Sequence, residues 1–150
     1  MAKKKLRVSI CTDEHLSPDV AEIFRQRLRT IEAARHAEFR GRDERDYIGT
    51  LYARNIVFAT SDEIFAKELY EKGIRHAGII YIPAKMIESE KQLFAQIAAA
   101  YVHGECRNSP FAFRGCALYP GHDGVRLIKP HSNSELAFSW DWLYDAAERQ

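Results

Sequence analysis

Leu6-Arg7-Val8-Ser9-Ile10-Cys11-Thr12-Asp13-Glu14-His15-Leu16-Ser17-Pro18 is the stretch that decides how the rest of this chain reads. Leu6 to Thr12 alternates apolar and polar residues and is rich in β-branched side chains, the pattern of a strand. It ends in two acids, Asp13 and Glu14. Ser17 and Pro18 then open a helix, because a hydroxyl suits the N-cap and proline the first helical position, where no amide is needed. Asp19 and Glu22 complement the positive first turn, and Val20, Ile23, Phe24 and Leu28 give a buried stripe at helical spacing. A strand running straight into an amphipathic helix is the opening half of a βαβ unit.

The same alternation continues downstream. Residues 30–34 fit either an edge strand or a continuation of the first helix, and residues 35–42 read as an exposed basic connection containing Gly41. A second helix is expected from about Asp43 to Ala53, with Tyr47, Ile48, Leu51 and Tyr52 inward. Residues 55–60 form an apolar run of strand length, as expected for a strand covered on both faces. Ser61-Asp62-Glu63 caps a helix that buries Phe65 and Leu69 and stops at Gly73. Residues 77–82 make another buried strand closed by Pro83. Ser89 and Gln92 suggest a capping box for a helix reaching Gly104, its inward face Leu93, Phe94, Ile97, Ala98 and Tyr101. Strands alternating with helices imply an α/β class with a mainly parallel central sheet flanked by helices in three layers. Residues 1–104 read as this α/β domain. Residues 105–150, rich in Pro, Gly, Asn and His, read as a C-terminal extension packed on it, with one strand-like run at Val125–Lys129 and a terminal Trp140-Asp141-Trp142.

Composition narrows the class without naming a partner. A hydrophobic fraction of 46% is enough for a core that needs no metal or disulfide merely to fold. Lys+Arg 22 against Asp+Glu 21 leaves a net charge of +1, so any nucleic-acid surface must come from clustering rather than excess. Cys11, Cys106 and Cys116 form no disulfide framework, there is no signal-peptide core and no apolar run of membrane-spanning length, and a cytoplasmic protein is expected. His103, Cys106, Cys116 and His122 include zinc-ligand types but lack the usual paired spacing.

The informative feature is where the acids fall. In an open parallel sheet, ligands bind beyond the carboxyl ends of the strands. Asp13 and Glu14 follow the first strand, Asp62 follows the strand ending at Thr60, and Asp43, Glu44 and Asp46 start the helix between them. Carboxylates gathered in one cleft repel one another unless a cation joins them, and an oxygen-only donor set favours Mg²⁺ or Mn²⁺. Against this stands the ordinary use of Asp and Glu as helix caps, which alone accounts for many acids at these positions. Arg40, Arg42 and Arg45 surround the loop leading to Asp43 and are the best candidates for holding RNA phosphates.

Three segments carry a resemblance. Asp13-Glu14-His15-Leu16-Ser17-Pro18 resembles the D-E-N/H-L-S-P opening of small PIN-like proteins of toxin–antitoxin modules. Phe39-Arg40-Gly41-Arg42-Asp43-Glu44 resembles that family's glycine-then-acid segment, and Val57 to Phe65 resembles its V-T-x-D-x-D-F signature. The likeness spans about residues 6–103. It implies a PIN-like fold and a metal-dependent endoribonuclease (a hydrolase) with Mg²⁺ or Mn²⁺. The partners implied are an RNA substrate and a restraining antitoxin protein, with a homodimer also open. Carried over by position, Asp13, Asp43 and Asp62 are the metal ligands, with Glu14 and Glu44 as catalytic auxiliaries. Ile64 stands where the family's second acid of D-x-D-F is expected, which supports the alternative of a non-catalytic PIN-like module that binds RNA or protein. A receiver-type phosphoacceptor domain also pairs acids in this way, but the helix beginning directly at Asp62 and the missing hydroxyl after residues 79–82 argue against it.

Overall fold

A computed structural model describes residues 8–141. The elements in chain order are β1 (Ser9–Thr12), α1 (Pro18–Arg25), β2 (Arg29–Glu32), a 3-10 turn (Ala33–Arg35), α2 (Glu44–Ala53) and β3 (Ile56–Thr60). There follow α3 (Glu63–Glu71), β4 (Ile79–Tyr81), α4 (Glu88–Glu105), β5 (Ala117–Pro120), β6 (Gly124–Ile128) and β7 (Glu135–Ser139). The strands make one seven-stranded sheet in the order β2-β1-β3-β4-β5-β6-β7. The first five run parallel, and β6 and β7 return antiparallel. Residues 117–139 therefore continue the same sheet as β1 to β4.

The sheet is buried from both sides, as strands without apolar–polar alternation require. On one face Ile10, Val57, Ala59 and Ile80 pack against Val20 and Phe24 of α1 and Phe94, Ala98 and Val102 of α4. On the other, Cys11, Phe58 and Ile79 pack against Tyr47 and Leu51 of α2 and Phe65 and Leu69 of α3. This is the expected α/β arrangement with helices on both faces.

Local chemistry explains the boundaries. Ser17 is the N-cap of α1, its Oγ accepting from the Val20 amide at 3.4 Å, with Pro18 in the first turn. Asp43 and Asp62 cap α2 and α3 through the amides of Arg45 and Phe65. Residues 29–32 form an edge strand, because α1 ends at Arg25 and the chain needs only a short turn to reach the flank of β1.

Three expectations are corrected. The Ser89–Gln92 capping box does not form: Ile87 is the N-cap of α4 without a side-chain bond, and Ser89 already lies inside the helix. The buried face of α4 is Phe94, Ala95, Ala98, Ala99 and Val102, so small alanines meet the sheet while Leu93, Ile97 and Tyr101 sit half-buried at its border. Tyr52 is half-buried too, covered by the Arg114 guanidinium 4.5 Å above its ring. The connection over residues 35–42 is largely exposed as expected, but Phe39 within it is fully buried, stacked on His36 at 4.7 Å and against Tyr47 at 4.9 Å. Trp140 docks on the sheet end, its Nε1 donating to the Gly121 carbonyl at 2.8 Å. Trp142, Tyr144, Lys3 to Lys5 and Arg7 lie outside the described residues.

One buried histidine gives the fold a pH dependence. His76 precedes β4, and its Nδ1 accepts from the Gly78 amide at 3.1 Å. Burial pushes the imidazole from 6.5 down to about 4, so it stays neutral in the fold. The unfolded chain protonates first, and the contribution of this group is therefore complete above pH 6.5 and lost as pH falls toward 4. The lost amount approaches about 3 kcal/mol. Urea unfolding across that window should show the decline, and His76→Gln should flatten it.

Candidate functional site

The strand order places the site. Between β1 and β3 the connections leave in opposite directions, β1 toward β2 on one side and β3 toward β4 on the other. Such a switch point leaves a crevice beyond the strand ends, where open α/β sheets bind their ligands. Asp13 follows β1 and Asp62 follows β3, so both stand at this crevice.

Asp13 is held rigidly. Its amide donates to the Ala59 carbonyl at 2.9 Å, extending the β1–β3 pairing one step, and its carbonyl closes a turn by accepting from the Leu16 amide at 3.1 Å. Only 5% of the residue is exposed. The hydroxyl of Thr60, itself fully buried, donates to Asp13 Oδ2 at 2.9 Å. The same oxygen of Thr60 accepts from the Asp62 amide at 3.0 Å. A single hydroxyl therefore ties the two strand-end acids together. Register is the reason: Thr12 pairs with Ala59, which brings Thr60 alongside Asp13.

Glu44 completes the cluster from the first turn of α2. Its carboxyl is pushed above the usual glutamate range, chiefly by burial, then by a hydrogen bond with Asp62 and the charges of Asp13 and Asp43. Asp62 is pulled the other way, first by the Phe65 amide donating to it at 3.0 Å, then by Glu44 and Arg45. The two carboxyls lie close enough to act on one another, and their interaction raises Glu44 while it lowers Asp62. Cys11, buried under the cluster, is pushed up to about 12 by burial and by Asp13.

The remaining candidates divide. Asp43 is an exposed cap whose Oδ1 accepts from the Arg45 amide at 2.8 Å, and it acts on Glu44 as a neighbouring charge. Glu14 accepts from the Gly41 amide, which pins the basic loop to the end of β1. Gly41 sits at φ +74°, where a side chain is strained, so the glycine is what lets the amide face Glu14. Asp46 is exposed. Arg45 bridges Glu68 at 2.8 Å and Asp43 at 3.4 Å and lies 5.4 Å over the Phe65 ring, which leaves its guanidinium largely engaged. Arg42 donates to the Glu38 carbonyl at 3.2 Å, and Arg40 is exposed. Ile64 is 74% exposed on the first turn of α3, beside Asp62.

Among the described residues no three His, Cys, Asp or Glu side chains converge as a ready metal cage, neither the acids nor His103, Cys106, Cys116 and His122. What the acids do show is mutual influence: Asp62, Asp13 and Asp43 each push the Glu44 carboxyl upward. Asp13, Glu44 and Asp62 offer carboxylate oxygens only. Thr60 is the residue sequence reasoning missed. It stands inside the quoted Val57–Phe65 segment, but its partner is 47 residues away and only the strand register reveals it.

A comparison with family models, curated proteins and solved structures gives no match to this chain. No helix among the described residues is long and apolar enough to cross a membrane.

Thr60→Val keeps the volume and removes the bridging hydroxyl. It is expected to cost about 1–3 kcal/mol, because a buried Asp13 oxygen and the Asp62 amide both lose a partner. Thr60→Ser should recover most of that in urea denaturation.

Proposed function

We propose that this protein is a PIN-like, divalent-metal-dependent endoribonuclease whose site is the crevice between β1 and β3. The single observation that carries the reading is the pair of strand-end acids Asp13 and Asp62, tied by the Thr60 hydroxyl, with Glu44 reaching them from the first turn of α2. Crowded carboxylates of this kind are what a cation-binding site looks like before the cation neutralises them.

The residues that hold Mg²⁺ or Mn²⁺ in this proposal are Asp13, Glu44 and Asp62, with Asp43 supplying charge from the rim. A bound divalent ion supplies Lewis-acid activation of a phosphodiester and of water. The chain's own part is to orient. Thr60 fixes one oxygen of Asp13. The Phe65 amide fixes one oxygen of Asp62. Glu14 then acts as a strap for the Arg40–Arg42 loop rather than as a reacting acid.

A second reading is supported by Ile64, an apolar residue where the resembled signature has an acid, and by the lack of a converged cage among the described residues. In it the chain is a non-catalytic module that holds RNA or a protein partner such as an antitoxin. A phosphoacceptor role is disfavoured by Asp62 Oδ1, which is already committed to capping α3.

The test is cleavage of single-stranded RNA by wild type, Asp62→Asn and Ile64→Asp across a Mn²⁺ titration. The nuclease reading expects cleavage by wild type, none by Asp62→Asn, and cleavage at lower Mn²⁺ for Ile64→Asp. RNA binding without cleavage by wild type and Ile64→Asp favours the binding module.

A further inference from the structure

The helix α3 roofs a cleft that the acid site leaves unused. A cavity of about 380 Å³ opens between α3 and the face of β4, β5 and β6, with Ile79, Ala117 and Ile128 on its floor and Tyr70, Tyr81 and Tyr119 on its walls. One end reaches Glu63, the residue after Asp62. Tyr70, Glu71, His76 and Gly115 also line a second cavity of about 620 Å³ at the opposite end of the sheet, so the two adjoin. That far end is basic: Arg75, Arg114 and Lys129 face the single acid Glu71, with His131 beside them. Among the described residues Arg75 makes no ion pair, and Lys129 has only an exposed contact with Glu135 at 3.5 Å. Arg114 is locked in place between the rings of Tyr52 and Phe111 at 4.5 and 4.4 Å.

Length and chemistry together select the occupant. The nine residues of α3 span about 14 Å, room for a few nucleotides of extended strand. An aromatic-walled apolar groove with a cationic end is the arrangement by which proteins hold unpaired bases and their phosphates. The acid crevice repels phosphates, and Arg42 and Arg45 beside it are already engaged. An anchor at a distance answers that repulsion.

We propose that this cleft is the track for single-stranded RNA: bases stack along Tyr70, Tyr81 and Tyr119, and phosphates are held at Arg75 and Lys129, while Arg114, which donates to Asn55 Oδ1 and the Tyr52 carbonyl, adds charge from a fixed position. The assignment deepens the nuclease reading and rests on it for the direction of the strand toward Asp62. The track itself is a binding claim and is tested by binding.

Fluorescence anisotropy with a labelled oligouridylate, without added metal, measures it on the full chain. The charge variant is Arg75→Ala with Lys129→Ala and the stacking variant is Tyr70→Ala, all at exposed positions. The stacking variant should bind at least about fivefold more weakly. The charge variant should lose about 1.4 from the slope of log affinity against log salt. An abasic strand, which loses stacking on all three rings, should bind wild type more weakly than the oligouridylate binds the Tyr70→Ala protein. Asp62→Asn removes a charge that repels phosphates, so it should bind the strand no more weakly than wild type whether or not it abolishes cleavage, which separates failure of the track from failure of the nuclease reading. The track is overturned if either variant binds the strand like wild type. It is also overturned if uridine monophosphate alone accounts for the affinity, which would indicate a mononucleotide pocket, or if an acidic peptide competes equally.

Discussion

Asp13→Asn is expected to lower Mn²⁺- or Mg²⁺-dependent RNA cleavage by at least about a hundredfold while leaving the fold standing. The two effects separate because the residue has two jobs. As a backbone position it extends the β1–β3 pairing, which any residue does. As an acceptor it takes the Thr60 hydroxyl at 2.9 Å, which the Asn carbonyl also does. What Asn cannot supply is the negative charge that a cation requires. Removing that charge from beside Glu44 and Asp62 also relieves repulsion, so metal-free stability should be unchanged or raised. Thermal melts without metal check the second half. A large fall in Tm would make Asp13 a structural residue and remove the basis for reading the crevice as a metal site.

Gly78→Ala is expected to cost about 3–5 kcal/mol, the largest stability effect expected here from a single substitution. Gly78 sits at φ +127°, a conformation that L side chains rarely adopt, just before β4. A Cβ there would overlap the buried Phe113 ring and approach the Phe113 carbonyl oxygen to 2.9 Å. The Gly78 carbonyl accepts from the Phe58 amide at 2.9 Å, so the strain would reach the β3–β4 pairing directly. Phe113 is buried, with Tyr101 edge-on to its ring at 6.2 Å, so moving it disturbs the core. Gly49→Ala is the control. Gly49 lies inside α2, and a Cβ added there would meet nothing within 4 Å, so that change should gain about 0.5–1 kcal/mol. Urea denaturation of both variants measures the contrast, and equal midpoints would contradict it.

Much of this architecture is legible in the chain because the signals are local. Ser17-Pro18, Asp43 and Asp62 announce three helices through capping chemistry that depends on a few neighbouring residues. The apolar run before Thr60 announces a buried strand for the same reason. The errors come where tertiary context overrides the local pattern. Helix α4 buries Phe94 and Ala98 as expected, and close packing adds Ala95, Ala99 and Val102 in place of the larger Leu93, Ile97 and Tyr101. Phe39 sits among charged residues and reads as loop, yet the pocket between His36 and Tyr47 buries it.

The site divides in the same way. The acids at strand ends are visible because the end of a strand is visible. That Asp13 and Asp62 meet depends on β1 lying beside β3, a fact of strand order. That Glu44 rather than Asp43 turns inward depends on the cap: Asp43 spends its carboxylate on the Arg45 amide, and the next residue faces the crevice. The separate roles of Glu14 as strap and Arg45 as partner of Glu68 are likewise set by distant contacts.

The central claim is that Asp13, Glu44 and Asp62 together hold one divalent cation. Mn²⁺ titration followed by electron paramagnetic resonance tests it without any assumption about substrate. Tight binding to wild type, weakened at least about tenfold by Asp13→Asn and by Asp62→Asn alike, is the predicted result. Equal Mn²⁺ affinity in all three proteins would contradict it.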